Sequence, residues 1–128
     1  MSPTILVIDD DESLLDLFRF VLEEEGFIVS TSKATLEEVA DVEKINPGLI
    51  ILDIRLGHRG DGLLFLQKLK NSIATSAIPI IICSAAADVV RGQEELLQQM
   101  GTPILHKPFD IEELISMVRV FVSPPPKV

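Results

Sequence analysis

The sequence predicts a doubly wound α/β fold: a (βα)5 three-layer sandwich around one parallel five-stranded sheet. Three observations predict it. Short aliphatic runs alternate with segments of helical period five times along the chain. The third run, Leu49-Ile50-Ile51-Leu52, is continuously apolar, as in a strand covered on both faces. Four of the runs end in polar clusters: Asp9-Asp10, Asp53, Ser84 and Lys107-Pro108. Right-handed crossovers cover both faces of such a sheet with helices and bring all strand C-termini to one edge.

Each element has its own signal. Residues 4–9 form an aliphatic strand, and residues 12–25 carry Leu14, Phe18, Val21 and Leu22 at helical spacing, with Gly26 as the C′ residue. Residues 27–31 read as the second strand. Thr35 caps a helix running to about Ile45, with Glu38 at its N3 position, and the turn Asn46-Pro47-Gly48 ends it. Residues 49–53 are the third strand, followed by a Gly-rich loop from Ile54 to Asp61. Residues 63–70 form a helix with an apolar face of Leu63, Leu66 and Leu69. The fourth strand spans 78–83, with Pro79 tolerated near its start. A helix over 88–100 ends at Gly101, and residues 103–106 make the fifth strand. Asp110 and Glu113 form a D-x-x-E capping box for the last helix, which runs to about Phe121. Phe109 and Leu114 have the spacing of a hydrophobic staple. The flavodoxin-like strand order 2-1-3-4-5 suits five strands of this length. Residues 1–122 form one domain. Residues 123–128, with Pro124-Pro125-Pro126, are an extended tail or the start of a linker.

Composition narrows the function classes. The 128 residues carry 20 acidic and 11 basic side chains, a net charge of −9, which disfavours direct contact with a phosphate backbone. No apolar stretch approaches the ~20 residues that span a bilayer, and the N-terminus has no signal-peptide pattern. A cytoplasmic protein with no membrane association is expected. The single Cys83 excludes an internal disulfide and reads as a buried structural thiol. His58 and His106 share no ligand spacing, which argues against zinc.

In the order 2-1-3-4-5 the switch point lies between strands 1 and 3. Asp9 and Asp10 would there meet Asp53, with Ser84 and Lys107 delivered from the next two strands. Three carboxylates with one ammonium call for a hard divalent cation. Mg²⁺ suits a site with few protein ligands, and Mn²⁺ is an acceptable substitute. The set is suited to phosphoryl chemistry, with Asp53 as nucleophile, Asp9 and Asp10 as metal carboxylates, and Ser84 and Lys107 as ligands of phosphoryl oxygens. Of the three consecutive acids, Asp10 or Asp11 caps the first helix, and Asp11 otherwise reads as a solvated first-turn residue. Glu23-Glu24-Glu25 reads as a solvated face and Arg55 as a rim charge.

Four motifs in order and at the right spacing carry a resemblance: Ile-Leu-Val-Ile-Asp-Asp-Asp-Glu at 5–12, Leu-Ile-Ile-Leu-Asp at 49–53 with Asp61-Gly62, Ile-Ile-Cys-Ser-Ala at 81–85, and His-Lys-Pro-Phe at 106–109. Over residues 3 to about 122 the chain resembles the receiver domain of bacterial two-component response regulators. The resemblance implies that Asp53 accepts a phosphoryl group from a sensor histidine kinase or phosphotransfer protein. It implies that Asp9, Asp10, Asp53 and the backbone carbonyl of Arg55 hold Mg²⁺. It implies that Ser84 and Lys107 bind the phosphoryl group, with a cis option at Lys107–Pro108. Output to a downstream protein or fused domain would leave through helix 4, strand 5 and helix 5, and a phosphorylation-dependent homodimer is compatible.

Three positions depart from the family pattern. Gly57 stands where Pro is common, in a loop one residue longer. Ile104 stands where Tyr or Phe is frequent and cannot donate a hydrogen bond. Ser84 replaces the commoner Thr and keeps the hydroxyl. The expected activity is confined to self-phosphorylation and slow self-dephosphorylation. The rivals are a Mg²⁺-dependent aspartyl phosphohydrolase, disfavoured by Arg55 where a second acid is needed, and a degenerate receiver that only binds protein. An FMN-binding flavodoxin is disfavoured by Asp-Asp-Asp in the first loop.

Overall fold

Ten elements alternate in the computed structural model, which describes residues 4–33, 39–54, 61–85 and 91–122, the side chains of 61 and 91–94 excepted. They are β1 (Thr4–Ile8), α1 (Glu12–Glu24), β2 (Ile28–Ser32), α2 (Val39–Ile45), β3 (Leu49–Asp53), α3 (Asp61–Asn71), β4 (Ile80–Ala85), α4 (Arg91–Gln99), β5 (Ile104–Lys107) and α5 (Ile111–Phe121). The strands form one sheet in the order β2-β1-β3-β4-β5, every pair parallel. β3 lies at the centre, with all five of its residues buried. This is the predicted flavodoxin-like order, with continuously aliphatic runs in the covered central strands β1 and β3.

Alternation along the strands sorts the core into two layers. Ile5 and Val7, Leu49 and Ile51, Ile81 and Cys83, and Leu105 face Phe18 and Leu22 of α1 and Leu114 and Val118 of α5. Leu6 and Ile8, Ile50 and Leu52, and Ile80 and Ile82 face Val42 of α2, Phe65, Leu66 and Leu69 of α3, and Leu97 of α4. Among the described residues no helix is long and apolar enough to cross a membrane.

Helix ends follow local chemistry. Asp11 caps α1, its Oδ1 accepting from the Leu14 amide at 3.3 Å, so it is a cap and not merely a first-turn charge. At the other end Gly26 takes φ 95°, its amide donates to the Glu23 carbonyl at 2.9 Å and the Phe27 amide to Leu22 at 3.1 Å, a Schellman closure. Gly101 (φ 69°) closes α4 in the same way, with Thr102 donating to Leu97 at 2.9 Å.

Some expectations are corrected. β1 stops at Ile8, although the Asp9 amide still donates to the Ser32 carbonyl at 3.1 Å. β4 begins at Ile80, because Pro79 has no amide to give the ladder; its carbonyl accepts from Ile50 at 3.0 Å. β5 runs one residue further than expected and ends on Lys107, and α3 starts at Asp61. Asp110 occupies the N-cap of α5, but its side chain makes no capping hydrogen bond, so no capping box forms. The entry to α5 is set by Phe109, stacked on Phe18 with ring centroids 5.3 Å apart. The Thr35–Glu38 cap, the loop around Gly57, the first residues expected of helix 4 and the 123–128 tail lie outside the described residues.

The burial contrast gives a direct test by urea denaturation. Leu52→Ala, at 0% exposure, should cost about 2–5 kcal/mol, whereas Ile73→Ala, at 98% exposure, should stay within about 0.5 kcal/mol.

Candidate functional site

The site is built by register. β1 and β3 pair with Ile8 opposite Leu52, so one residue further Asp9 falls opposite Asp53. Asp53 in turn pairs with Cys83, and Cys83 with Leu105. Asp9, Asp53 and Cys83 therefore form one row at the C-terminal edge of the sheet. By alternation all three face the α1/α5 layer. Lys107, two residues beyond Leu105, shares that face and reaches back along the row. Its Nζ lies 3.2 Å from Asp9 Oδ2 and 3.6 Å from Asp53 Oδ2.

One ammonium thus serves two buried carboxylates. At an effective dielectric of ~20, each close attraction is worth a few kcal/mol, about what the two acids lose by facing each other. The balance differs among the three groups. Burial raises the pKa of Asp9, the nearby Asp53 charge adds to that, and the Asp11 amide at 2.9 Å and Lys107 pull it down without reversing it. For Lys107 burial alone would lower the pKa, but the charges of Asp9 and Asp53 outweigh it and the net shift is upward. The lysine can gain from the pair because its side chain stays 26% exposed, while that of Asp9 is 3% exposed. Burial pushes the Cys83 thiol up to about 12, so it is an inert neutral group, as the sequence suggested.

The remaining predicted residues stand differently. Asp10 is exposed, and among the described residues no three His, Cys, Asp or Glu side chains are placed to hold a metal. Asp9 and Asp53 converge on Lys107, and Asp10 is exposed beside them. Ser84 is fully buried, but it falls in the Ile80–Ile82 row, which faces the opposite layer. Its Oγ donates to the Ala85 carbonyl at 2.9 Å, and Cys83 occupies the position beside Asp53. Arg55 lies outside the described residues. The Lys107–Pro108 peptide is cis. Sequence reading missed the place of Cys83 and the close packing of Gly62 against the β3 exit; strand alternation in Ile82-Cys83-Ser84 was the signal for the first.

The donor set still fits a small hard cation. Two carboxylates and one ammonium leave a net charge of −1, the donors are all oxygens, and burial already disfavours the Asp9 charge. Mg²⁺ commonly takes one or two carboxylates and keeps several waters. Asp9 and Asp53 are the residues that would hold it, with Lys107 shared between them.

A doubly wound sheet with an acid pair and a lysine at its switch point defines the class. The chain belongs to the response regulator receiver domain family, whose pattern matches residues 5–119. It is similar to the DNA-binding dual master transcriptional regulator RpaA of Synechocystis sp., at 31% identity over 120 residues, 94% of this chain and 49% of RpaA. It is also similar to the polar-differentiation response regulator DivK of Brucella ovis, at 27% identity over 124 residues, 96% of this chain and 98% of DivK. The chain thus spans about half of RpaA and nearly all of DivK. In fold it matches the receiver domain of the sensor histidine kinase PA1611 from Pseudomonas aeruginosa PAO1. That domain was solved with a magnesium ion coordinated in its active site cleft; the TM-score is 0.78 at 24% identity, covering 94% of this chain and 98% of that one.

The raised Asp9 pKa sets a pH test. Its native-state pKa lies above the unfolded value of 3.8, so the native state holds the extra proton. Parent stability should rise as pH falls through the native pKa and stop gaining below 3.8. In metal-free buffer at pH 7, Asp9→Asn should raise the melting temperature by about 2–5 °C. Its advantage should fade toward pH 3.8. A thermal-melt series across pH reads both.

Proposed function

We propose that this chain is a phosphoacceptor receiver, in which Asp53 takes a phosphoryl group from the phosphohistidine of a sensor histidine kinase or phosphotransfer protein. The observation that carries the reading is Lys107 Nζ standing 3.2 Å from Asp9 and 3.6 Å from Asp53 at the exit of the central strand. An Asp53 carboxylate oxygen forms the new O–P bond as the N–P bond of the donor breaks, and the electron pair leaves with the imidazole nitrogen. Lys107 is already beside Asp53 and supplies fixed positive charge where phosphoryl oxygens gain negative charge. Ser84, near the end of β4, faces the opposite layer, so it would have to release the Ala85 carbonyl and turn its hydroxyl toward the strand end to reach a phosphoryl oxygen. Asp9 and Asp53, with Asp10 and the Arg55 carbonyl as further candidates, would hold Mg²⁺, which would add positive charge beside the phosphoryl oxygens. Support for that ion comes from the donor chemistry here and from the magnesium seen in the PA1611 receiver.

Activity is confined to the chain's own phosphoryl group, taken up and slowly lost to water. Phosphorylation shifts a pre-existing equilibrium between two states of the α4–β5–α5 face. Ile104, partly buried against the α2/α3/α4 layer, has no hydrogen-bonding group to follow Ser84. Any DNA contact of the kind RpaA's name records belongs to a separate output domain, because this chain carries a net charge of −9.

Incubation with acetyl phosphate and Mg²⁺ should add one phosphoryl group, read by intact-mass spectrometry. Asp53→Asn or removal of the metal by EDTA should abolish it. Equal labelling of the Asn variant would eliminate Asp53 as the acceptor. An unlabelled parent would favour the degenerate receiver, and turnover of a small phosphate ester would favour the phosphohydrolase.

Metal binding has its own readout. Mg²⁺ at about 100 times its Kd should stabilise the native state by ~2.7 kcal/mol, seen as a rise in melting temperature. Asp9→Asn should remove most of that rise, and a full rise in the variant would exclude Asp9 as a ligand.

A further inference from the structure

We propose that Gly62 is a positioning residue for the phosphoacceptor, an assignment that rests on the reading of Asp53 given above. Gly62 is buried in the first turn of α3. A Cβ at this position would overlap the Asp53 carbonyl oxygen and come within 2.8 Å of both the Cα and the carbonyl oxygen of Ile54. All three are backbone atoms, which cannot swing aside as the end of a long side chain can. Among the described residues the positive-φ glycines are Gly26 and Gly101, so the demand at Gly62 is for space and not for a left-handed backbone.

The place of this contact gives it a role. Asp53 is the last residue of β3, and the Ile54 amide donates to the Cys83 carbonyl at 3.2 Å, continuing the rungs to β4. The first turn of α3 bears on this peptide from the α2/α3/α4 side. The Asp53 carboxylate leaves on the other side, toward Lys107. Phe65, Leu66 and Leu69 anchor α3 in the core one and two turns further on. A methyl group at Gly62 therefore has to move the Asp53–Ile54 peptide, because the helix is held. Tilting that peptide swings the carboxylate away from Lys107 and Asp9. Misplacement of a reacting group by ~1 Å costs about 10²-fold in rate.

The test compares the parent, Gly62→Ala and Leu69→Ala. Leu69→Ala removes core volume from the same helix, in the layer opposite the Asp53 carboxylate. Two quantities are read: the labelling rate with acetyl phosphate and Mg²⁺, and the exchange protection of the Ile54 amide relative to that of Ile51. Gly62→Ala should label about 10–100-fold more slowly and lose Ile54 protection selectively. Leu69→Ala, whatever its stability, should label at close to the parent rate once folded and keep the Ile54-to-Ile51 ratio. Labelling of Gly62→Ala at the Leu69→Ala rate overturns the assignment, even if Ile54 is loosened. If Gly62→Ala does not fold in buffer, the same comparison is made for all three proteins in trimethylamine N-oxide, which strengthens burial without altering the site. An unlabelled parent indicts the phosphoacceptor reading instead. In that case retained Ile54 protection in Gly62→Ala still overturns the role of Gly62.

Discussion

The arrangement on which the rest depends is a single ammonium held between two buried carboxylates. Lys107 is 3.2 Å from Asp9 and 3.6 Å from Asp53, and neither acid has much water to turn to. Burial raises the pKa of Asp9 even with the lysine beside it. The site is therefore kept under electrostatic stress by the fold, and the fold has to be firm enough to keep it. Marginal native stability makes that demand a real one.

The sheet supplies the firmness. A parallel ladder with β3 in the middle fixes Asp53 between β1 and β4, and its register leaves Asp9 no alternative neighbour row. The two faces then share the work. On one, α1 and α5 pack over the row that carries Asp9, Asp53 and Lys107, with Phe18 stacked on Phe109 and Arg119 reaching Glu25 at 3.2 Å. On the other, α3 bears directly on the backbone that follows Asp53, a contact that only glycine at position 62 permits. Asp53 is thus held from both faces of the sheet by separate elements.

Much of this was legible in the chain. Five aliphatic runs and the polar clusters at strand ends pointed to the strand order and to Asp9, Asp53 and Lys107 sharing one edge of the sheet. Facing is harder to see in a sequence: a polar cluster at a strand end looks like one unit, whereas a strand turns successive side chains to opposite sides. Asp9 consequently enters the pair while Asp10 stays exposed, and Cys83 stands beside Asp53 while Ser84, one residue on, faces the other layer. The capping box at Asp110 failed for another reason. The pattern is present, but the Asp110 side chain makes no capping hydrogen bond, and the Phe109–Phe18 stack lies one residue before that N-cap. Gly62 was noticed as part of a motif, yet its reason is a tertiary approach that no local pattern encodes.

The shared lysine has a further consequence. An ammonium offers three protons, and here two acids already compete for them. On the proposed reading, a phosphoryl group on Asp53 would draw Lys107 toward itself and strip Asp9 of its counter-charge. Asp9 would then be left to recruit a proton or a divalent ion from solution. A site so arranged would act as a coincidence detector, accepting a new negative group most stably when a positive one arrives with it.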